Sequence, residues 1–218
     1  MVAERSFAKI VYLMYRIDRN NFHTKPKNST IYTPKEVSEF IFQILHPFFN
    51  KKSLVLDIGS GLGSLSKPWK KAGYQTLGID IDISSEADIK TDFLSLRKWE
   101  YPRPNLILCN PPFNGYYPKL ASEVFCDQII KLFGKEIPLV LFTPPGLRNN
   151  LTSQSLRYHK FISGEYPAIG STITLPKNIF PSVIFHSEIL LFNIFGLKPH
   201  YFFSFSAPNH YELKLKKV

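Results

Sequence analysis

Short apolar runs alternate with helical segments through the middle of this chain, and this alternation limits the fold more than any other feature. The apolar runs fall at residues 54–56, 76–79, 87–89, 106–109 and 138–142. Helical periodicity is present between them, at 65–72 and 119–133. Strands joined through a helix run parallel, because the crossover returns the chain to the same edge of the sheet. The pattern therefore predicts an α/β fold in which helices cover both faces of a mostly parallel sheet.

The two ends of the chain depart from this alternation. Before the first strand, the pattern predicts a helix, a polar loop and a second helix, at 5–19, 20–33 and 35–48. Thr33 suits the capping position of the second helix and Pro34 suits its first turn. Near the other end, 171–175 and 188–195 have the character of strands with no helix between them. They predict an antiparallel pair at one edge of the sheet.

The composition suits a single domain. The chain has 218 residues, of which 44% are hydrophobic, and this is enough to bury one core. We expect one domain over the whole sequence, with a helical N-terminal segment at 1–48, a core at 53–197 and a basic C-terminal tail at 198–218.

The formal net charge of +10 favours a polyanionic partner, with nucleic acid as the first candidate. Ordinary basic solubility would give the same charge. The basic residues are spread along the chain, which suggests a face assembled by folding; they include Arg16, Arg19, Lys25, Lys27, Lys67, Lys70, Lys71, Arg97, Lys98, Arg103, Lys214, Lys216 and Lys217.

The cysteines and the apolar segments bear on location. Cys109 and Cys126 lie in no metal-ligand spacing, so no metal site is expected and a reduced, cytoplasmic location is the default. Charged residues close to the start argue against a signal peptide. The longest apolar stretch, 182–197, is interrupted by a histidine and a glutamate and is too short to span a bilayer, so no membrane association is expected.

A glycine-rich loop follows the first predicted strand. Asp57 is followed by glycines at alternate positions, Gly59, Gly61 and Gly63. Glycine lets the backbone turn sharply and approach a ligand closely. Ser64 stands where the dinucleotide fingerprint has a further glycine, and the Gly-Lys-Ser/Thr ending of a phosphate-binding loop is missing. The charge of Asp57 disfavours a phosphate and favours a cationic or amine-bearing ligand.

Two acidic residues follow the next two strands. The spacing of Asp80 from the glycine loop suits a carboxylate that binds the hydroxyls of a ribose. Asp92 and Phe93 could hold an adenine by hydrogen bonding and stacking. Each acidic residue taken singly is better explained as a cap or turn residue. As an ordered series with the glycine loop, they predict a pocket for a nucleoside with a positively charged amino-acid tail, which fits S-adenosylmethionine.

The tetrapeptide Asn110-Pro111-Pro112-Phe113 follows the strand at 106–109. The asparagine side-chain oxygen and the first proline carbonyl can each accept a hydrogen bond from an amino group. The proline rings fix φ, and the phenylalanine offers a flat face to a planar ring. The tetrapeptide therefore predicts a clamp for an exocyclic amino group on an aromatic heterocycle. The alternative is a Pro-Pro turn followed by a core phenylalanine.

With these motifs, the chain resembles the Rossmann-like class I methyltransferases, and more narrowly the adenine-N6 DNA methyltransferases of the Asn-Pro-Pro-Phe type with a gamma-like motif order. The resemblance runs from about Tyr32 to Phe195. It implies a mostly parallel seven-stranded sheet with an antiparallel C-terminal hairpin strand, and S-adenosylmethionine as the cofactor. The cofactor positions that it implies are Tyr32, Thr33, Pro34, Asp57, Gly59, Gly61, Gly63, Asp80, Asp92 and Phe93. The catalytic positions are Asn110, Pro111, Pro112 and Phe113.

The resemblance also implies how the substrate is held. A target adenine must leave the duplex to reach such a clamp. Phe113 would stack on the extruded base and Phe180, which is followed by Pro181, would help to hold it, although Phe185 competes with Phe180 for that role. Hydrogen bonds from N6 to the clamp would localise the nitrogen lone pair for attack on the cofactor methyl group.

The origin of sequence specificity is left open by the resemblance. Such enzymes often carry a sizeable target-recognition domain after the core, and none is expected here. We therefore expect sequence specificity to come from loops, from the N-terminal segment or from a partner subunit, or to be weak. The segment 148–170, with Arg157, His159 and Lys160, is the best internal candidate for contacting the substrate, and an ordinary solvated loop is the alternative.

Three other functions remain open. The first is methylation of an adenine or guanine amino group in RNA, because the clamp would receive it equally well. The second is methylation of a protein glutamine, although those enzymes generally have tyrosine at the fourth position of the motif. The third is a methyltransferase-like subunit that only binds nucleic acid or a partner, against which the intact set of Asp57, Asp80, Asp92 and Asn110 argues.

Overall fold

The computed structural model describes residues 31–113, 116, 119–180 and 185–204. The helix expected at 5–19, most of the loop expected at 20–33 and the larger part of the expected basic tail lie outside these residues.

Strands and helices alternate along the described part of the chain. The strands are β1 (Leu54–Ile58), β2 (Gln75–Asp80), β3 (Ile89–Lys90), β4 (Leu106–Cys109), β5 (Leu139–Thr143), β6 (Ile169–Thr174), β7 (Glu188–Phe192) and β8 (His200–Phe202). The helices are α1 (Lys35–Leu45), α2 (Lys67–Lys71), α3 (Ala121–Phe133), α4 (Gly146–Asn149) and α5 (Leu156–Ile162). Short 3₁₀ turns lie at His46–Phe48 and Phe93–Ser95.

All described strands form one sheet with the order β3-β2-β1-β4-β5-β7-β6-β8. The first five strands pair in parallel, and β7 is antiparallel to both β5 and β6. This confirms the predicted α/β fold with a mostly parallel sheet and an antiparallel C-terminal pair. The position of that pair differs from the expectation, because β7 is inserted between β5 and β6 and neither of the two forms the outer edge.

The sheet has an eighth strand that the sequence did not suggest. The short strand β8 runs parallel to β6 and forms the outer edge, within the region expected to be a basic tail. Its three residues, His200, Tyr201 and Phe202, include two aromatic residues, which pair readily with an open sheet edge. The strand is too short to be recognised from periodicity.

The inner strands are buried on both faces, as expected for a sheet between two helical layers. Alternate residues of β4 separate into two cores: Leu106 and Leu108 face the side that packs against α1 and α2, and Ile107 and Cys109 face α3. Among the described residues, no helix is long and apolar enough to cross a membrane.

The start of α1 differs from the prediction. Pro34 occupies the N-cap position, no side chain among the described residues caps the helix, and regular α-helix ends at Leu45 before the 3₁₀ turn. Thr33 therefore does not cap α1. Its hydroxyl accepts a hydrogen bond from the Asn110 side chain instead, because Thr33 lies against the end of β4.

Candidate active site

Three parallel strands bring the predicted motifs together at one edge of the sheet. The glycine loop follows β1, Asp80 ends β2, and Asn110 follows β4. Ligands of open α/β sheets bind at this edge, outside the carboxyl ends of the strands. A cavity of about 600 Å³ lies here, and the predicted residues that line it are Tyr32, Thr33, Asp57, Gly59, Gly61, Asp80, Asp92, Phe93, Asn110, Pro111, Pro112 and Phe113. The predicted residues that do not line it are Pro34, Gly63 and Phe180.

The glycine loop folds tightly against β2. The backbone N–H of Gly59 donates to the carbonyl of Ile79 at 2.8 Å, and the loop continues with φ of +52° at Gly61. A Cβ at Gly61 would lie 2.9 Å from Cε1 of Tyr32. A side chain there would meet both backbone strain and the tyrosine ring.

Asp57 is buried at the end of β1, with 1% of its surface exposed. Its Oδ2 accepts a hydrogen bond from the backbone N–H of Ser66 at 3.1 Å. Burial raises the pKa of Asp57 from 3.8 to about 6; the hydrogen bonds from Ser66 offset part of this effect, and the charge of Asp80 adds to it. At neutral pH the carboxyl group is therefore mostly charged in spite of its burial, and ionisable groups with pKa values raised in this way are common at functional sites.

Asp80 and Asp92 each serve the backbone as well as lining the cavity. Asp80 accepts from the backbone N–H of Gly61 at 2.7 Å and from that of Asp82 at 2.8 Å. Asp92 caps the 3₁₀ turn by accepting from the N–H of Leu94 at 2.9 Å. Capping was the alternative explanation for Asp92, and the side chain does cap this turn while it also lines the cavity. A carboxylate can accept about four hydrogen bonds, so both side chains retain capacity for a ligand.

The cavity has an apolar side that the sequence only partly suggested. Phe93 stacks on Phe125 with ring centroids 6.1 Å apart and an interplanar angle of 18°. Tyr116 packs edge-on against Phe125, and burial together with the charge of Asp92 raises the pKa of Tyr116. Ile81 and Ile83 are 73% and 80% exposed at the rim. The alternation of apolar residues just after Asp80 is visible in the sequence and could have identified the two isoleucines as cavity residues.

Asn110 is held at one end and free at the other. Its Nδ2 donates to Oγ1 of Thr33 at 3.0 Å. Its Oδ1 is buried and has no hydrogen-bond partner within the described residues. A buried acceptor without a donor costs about 1–3 kcal/mol, so such atoms in native structures call for an explanation. In a cavity wall, an acceptor of this kind suits a ligand N–H group.

Phe113 lines the cavity and is supported from behind by two other rings. Its centroid lies 4.3 Å from that of Phe185 and 5.8 Å from that of Phe180. Phe180 is 1% exposed and also packs against Phe142. In this conformation Phe180 supports Phe113 from within the core and does not face the cavity, while Pro181 lies outside the described residues.

The basic segment expected to contact the substrate is largely occupied with internal contacts. Arg157 pairs with Glu123 at 2.8 Å and also donates to the carbonyls of Gly146 and Asn150. Lys160 pairs with Asp127 at 2.6 Å. These cations therefore connect α5 to α3, because α3 presents carboxylates to them. Of the three residues singled out in this segment, the exposed one is His159.

Comparison with solved structures supports the same fold. Similar chains include a proposed class I S-adenosylmethionine-dependent methyltransferase from Listeria monocytogenes, with 17% identity and a TM-score of 0.55 over 81% of this chain and 67% of that one. A methyltransferase subunit of a type I restriction-modification system from Streptococcus thermophilus has 18% identity and a TM-score of 0.57, over 87% of this chain and 50% of that one. A proposed RNA methyltransferase from Pyrococcus horikoshii has 15% identity and a TM-score of 0.53, over 79% and 89%.

These likenesses establish a Rossmann-like class I methyltransferase fold for this chain. The chain spans about half the length of the Streptococcus thermophilus subunit. No protein-family model matches the sequence, and no curated protein matches it significantly.

Proposed function

We propose that this chain transfers a methyl group from S-adenosylmethionine to the N6 amino group of a flipped-out adenine in DNA. The observation that carries the proposal is the buried Oδ1 of Asn110, which has no donor among the described residues and belongs to the cavity wall. The type and place of this atom suit a substrate amino group. The fold and the motif order support the choice of reaction.

The cavity fits the proposed cofactor. Its volume of about 600 Å³ lies in the usual range for small-molecule sites. Asp57 suits the ammonium group of the amino-acid tail, Asp80 the ribose hydroxyls, and Phe93 with Phe125 the flat faces of the adenine. When bound, S-adenosylmethionine supplies an electrophilic methyl group on a sulfonium. The carboxylates and the aromatic rings of the cavity wall thus have counterparts in that molecule.

The clamp would act on the electrons of the substrate nitrogen. The N6 lone pair of adenine is delocalised into the ring, which makes the nitrogen a poor nucleophile. Hydrogen bonds from its two N–H groups to Oδ1 of Asn110 and to the carbonyl of Pro111 localise the lone pair on nitrogen. Acceptors fixed in advance stabilise the developing positive charge on nitrogen, so positioning matters more than a strong base.

Several features favour nucleic acid as the substrate and DNA within that class. The net charge of +10 attracts a polyanion. Phe113 offers a ring at the cavity, on which an extruded base can stack. The choice of DNA over RNA rests on the gamma-like motif order, and we propose that loops or a partner subunit supply the sequence specificity.

The test is to identify the methylated nucleoside. Purified protein with isotopically labelled S-adenosylmethionine is incubated separately with DNA and with RNA, and each is digested for mass spectrometry. We expect labelled N6-methyldeoxyadenosine. Label found only in RNA would overturn the DNA assignment, and label found only in protein glutamine would overturn nucleic acid as the substrate. Absence of S-adenosylmethionine binding by calorimetry would overturn the enzyme and favour a non-catalytic subunit.

Asn110→Ala tests the clamp directly. We expect S-adenosylmethionine affinity within about threefold of wild type and a methyl-transfer rate lowered at least about 100-fold, since an acceptor needed mainly in the transition state is lost. The control is Asn105→Ala, which removes the acceptor for the N–H of Leu54 at the opposite edge of the sheet. That variant should lose stability but keep its transfer rate, and full activity in Asn110→Ala would refute the clamp mechanism.

A further inference from the structure

One short segment before α1 contacts both halves of the site. The ring of Tyr32 packs over Gly61 of the glycine loop. The next residue, Thr33, accepts the hydrogen bond from Asn110, 77 residues away in sequence. Both residues line the cavity. The segment therefore connects the cofactor side of the cavity with the clamp.

The orientation of the Asn110 amide decides whether the clamp can work. One end of an asparagine amide accepts hydrogen bonds and the other end donates them. A substrate amino group is a donor, so Oδ1 must meet it, and a rotated amide would set two donors against each other. The 3.0 Å hydrogen bond from Nδ2 of Asn110 to Oγ1 of Thr33 holds the amide from the side opposite Oδ1, and Thr33 is itself buried, with 6% of its surface exposed.

We propose that Thr33 is a positioning residue of the clamp, whose hydroxyl holds the plane of the Asn110 amide so that Oδ1 meets the amino group of the substrate. A threonine hydroxyl can donate as well as accept. Thr33 therefore sets the plane, and the arriving N–H group selects the end that faces it. The inference rests on the proposed function for what the clamp receives, and it places Thr33 on the substrate side of the reaction rather than the cofactor side.

This role predicts an effect on rate and not on cofactor affinity. Without the hydroxyl, the amide of Asn110 is free to rotate about its last side-chain torsion, and the fraction of time in the productive geometry falls. The lining of the cofactor cavity keeps its shape if a side chain of the same size replaces threonine. A contact made by Thr33 only to the cofactor would give the opposite pattern.

Three variants distinguish a positioning role of Thr33 from a contact that Thr33 makes only to the cofactor. Thr33→Val keeps the branched shape and removes the hydroxyl, while Thr33→Ser keeps the hydroxyl. Thr172→Val is the matched control, because Thr172 is a threonine of β6 that is also buried, at 8% exposure, but does not line the cavity. Thermal unfolding first establishes that all three variants are folded.

The first measurement does not depend on activity. The side-chain ¹⁵N–¹H signals of Asn110 are assigned by their loss in Asn110→Ala and are followed in ligand-free protein. We expect Thr33→Val to shift these signals and to speed their exchange with solvent. Thr33→Ser and Thr172→Val should leave them close to wild type. Unchanged signals in Thr33→Val would overturn the proposal.

The second measurement separates binding from transfer. We expect S-adenosylmethionine affinity within about threefold of wild type in every variant, and a single-turnover transfer rate lowered about 10- to 100-fold in Thr33→Val alone. Equal loss in Thr33→Val and Thr33→Ser, or weaker cofactor binding with an unchanged rate at saturation, would overturn the positioning role. If Thr33→Val shifts the amide signals while the wild-type protein methylates no nucleic acid, the held amide is supported and the proposed function fails.

Discussion

At the residue scale, the end of β1 holds an ionisable group in an apolar setting. Asp57 is almost fully buried, and its pKa of about 6 lies above the ordinary value because burial disfavours the charged form. The folded state therefore binds a proton more tightly than the unfolded chain. Stability contributed by this protonation is present below about pH 4 and is lost as the pH rises through 6.

We expect Asp57→Asn to stabilise the ligand-free protein at neutral and alkaline pH. A pKa raised from 3.8 to about 6 corresponds to an increase of up to about 3 kcal/mol in the free energy of unfolding at pH 8. The increase should shrink as the pH falls through 6 and vanish well below pH 3.8, where both states of the wild type are protonated. Urea unfolding at these pH values measures it, and an increase independent of pH would contradict burial of the charge as the cause.

The same carboxylate predicts how cofactor binding depends on pH. Wild-type affinity for S-adenosylmethionine should fall as the pH drops from about 7 to 5, because Asp57 takes up a proton near pH 6 and no longer attracts an ammonium group. Asp57→Asn should bind weakly at every pH, since its side chain stays neutral. Calorimetry across this range checks both statements, and a pH dependence that persists in the variant would assign it to another group.

At the element scale, the glycine loop is held by hydrogen bonds to β2 and by the ring of Tyr32. We expect Gly61→Ala to weaken S-adenosylmethionine binding strongly, because the added Cβ pushes the ring and the loop apart at the cavity wall. The control is Gly73→Ala, where φ is +83° and no atom of the described residues lies within 4 Å of an added Cβ. Both variants should lose about 1–2 kcal/mol of stability from backbone strain.

Calorimetry and thermal unfolding of the two glycine variants separate strain from contact. Only Gly61→Ala should lose cofactor affinity, since Gly73 lies in the turn after α2 and outside the cavity lining. Equal affinity in both variants would show that the loop does not approach the ligand. Equal loss in both would show that affinity follows global stability.

The ring cluster behind Phe113 gives a prediction about Phe180. Phe180 is buried among Phe113, Phe142 and Phe185, so Phe180→Ala should lower the free energy of unfolding by about 3–5 kcal/mol through the cavity it leaves. Chemical denaturation measures the loss. A variant with wild-type stability but weaker nucleic-acid binding would instead support the base-holding role that the sequence resemblance implies.

Much of the fold and of the cavity could be predicted because these features repeat locally. A buried parallel strand is a continuous apolar run, and a loop that needs positive φ shows its glycines, as at Gly59 and Gly61. The hydrogen bond of Thr33 could not be predicted in this way, because the capping preference is local whereas its actual partner, Asn110, is distant in sequence. Phe125 was missed for a similar reason, since a core-facing helical residue and a cavity-lining one have the same periodicity.

At the scale of the whole molecule, the distribution of charge matters more than the total. Ion pairs with Glu188, Glu123 and Asp127 occupy Arg148, Arg157 and Lys160. These cations contribute little to attracting a polyanion. Much of the excess positive charge in the sequence falls in the chain ends, which lie outside the described residues.

Lys177 is an exposed cation on the side of the clamp. It follows β6, which runs in the same direction as β4, so it lies beyond the same edge of the sheet as Asn110. Its carbonyl accepts a hydrogen bond from the N–H of Phe185, and Phe185 packs on Phe113. Its positive charge would attract a phosphate that approaches this edge of the sheet. Lys131, in the last turn of α3, is also exposed and lies towards the opposite edge of the sheet.

We therefore expect Lys177→Glu to weaken DNA binding. The plot of log affinity against log salt concentration should become less steep by about 0.9 or more, because one phosphate contact is lost. Lys131→Glu makes the same change in net charge and should leave that slope close to wild type. Fluorescence anisotropy with a labelled duplex at several salt concentrations measures both, with S-adenosylmethionine affinity as a check on the cavity. Because the two variants carry the same net charge, a difference in their salt dependence would come from the position of the charge. Equal effects would mean that DNA does not approach the edge of the sheet at which Asn110 lies.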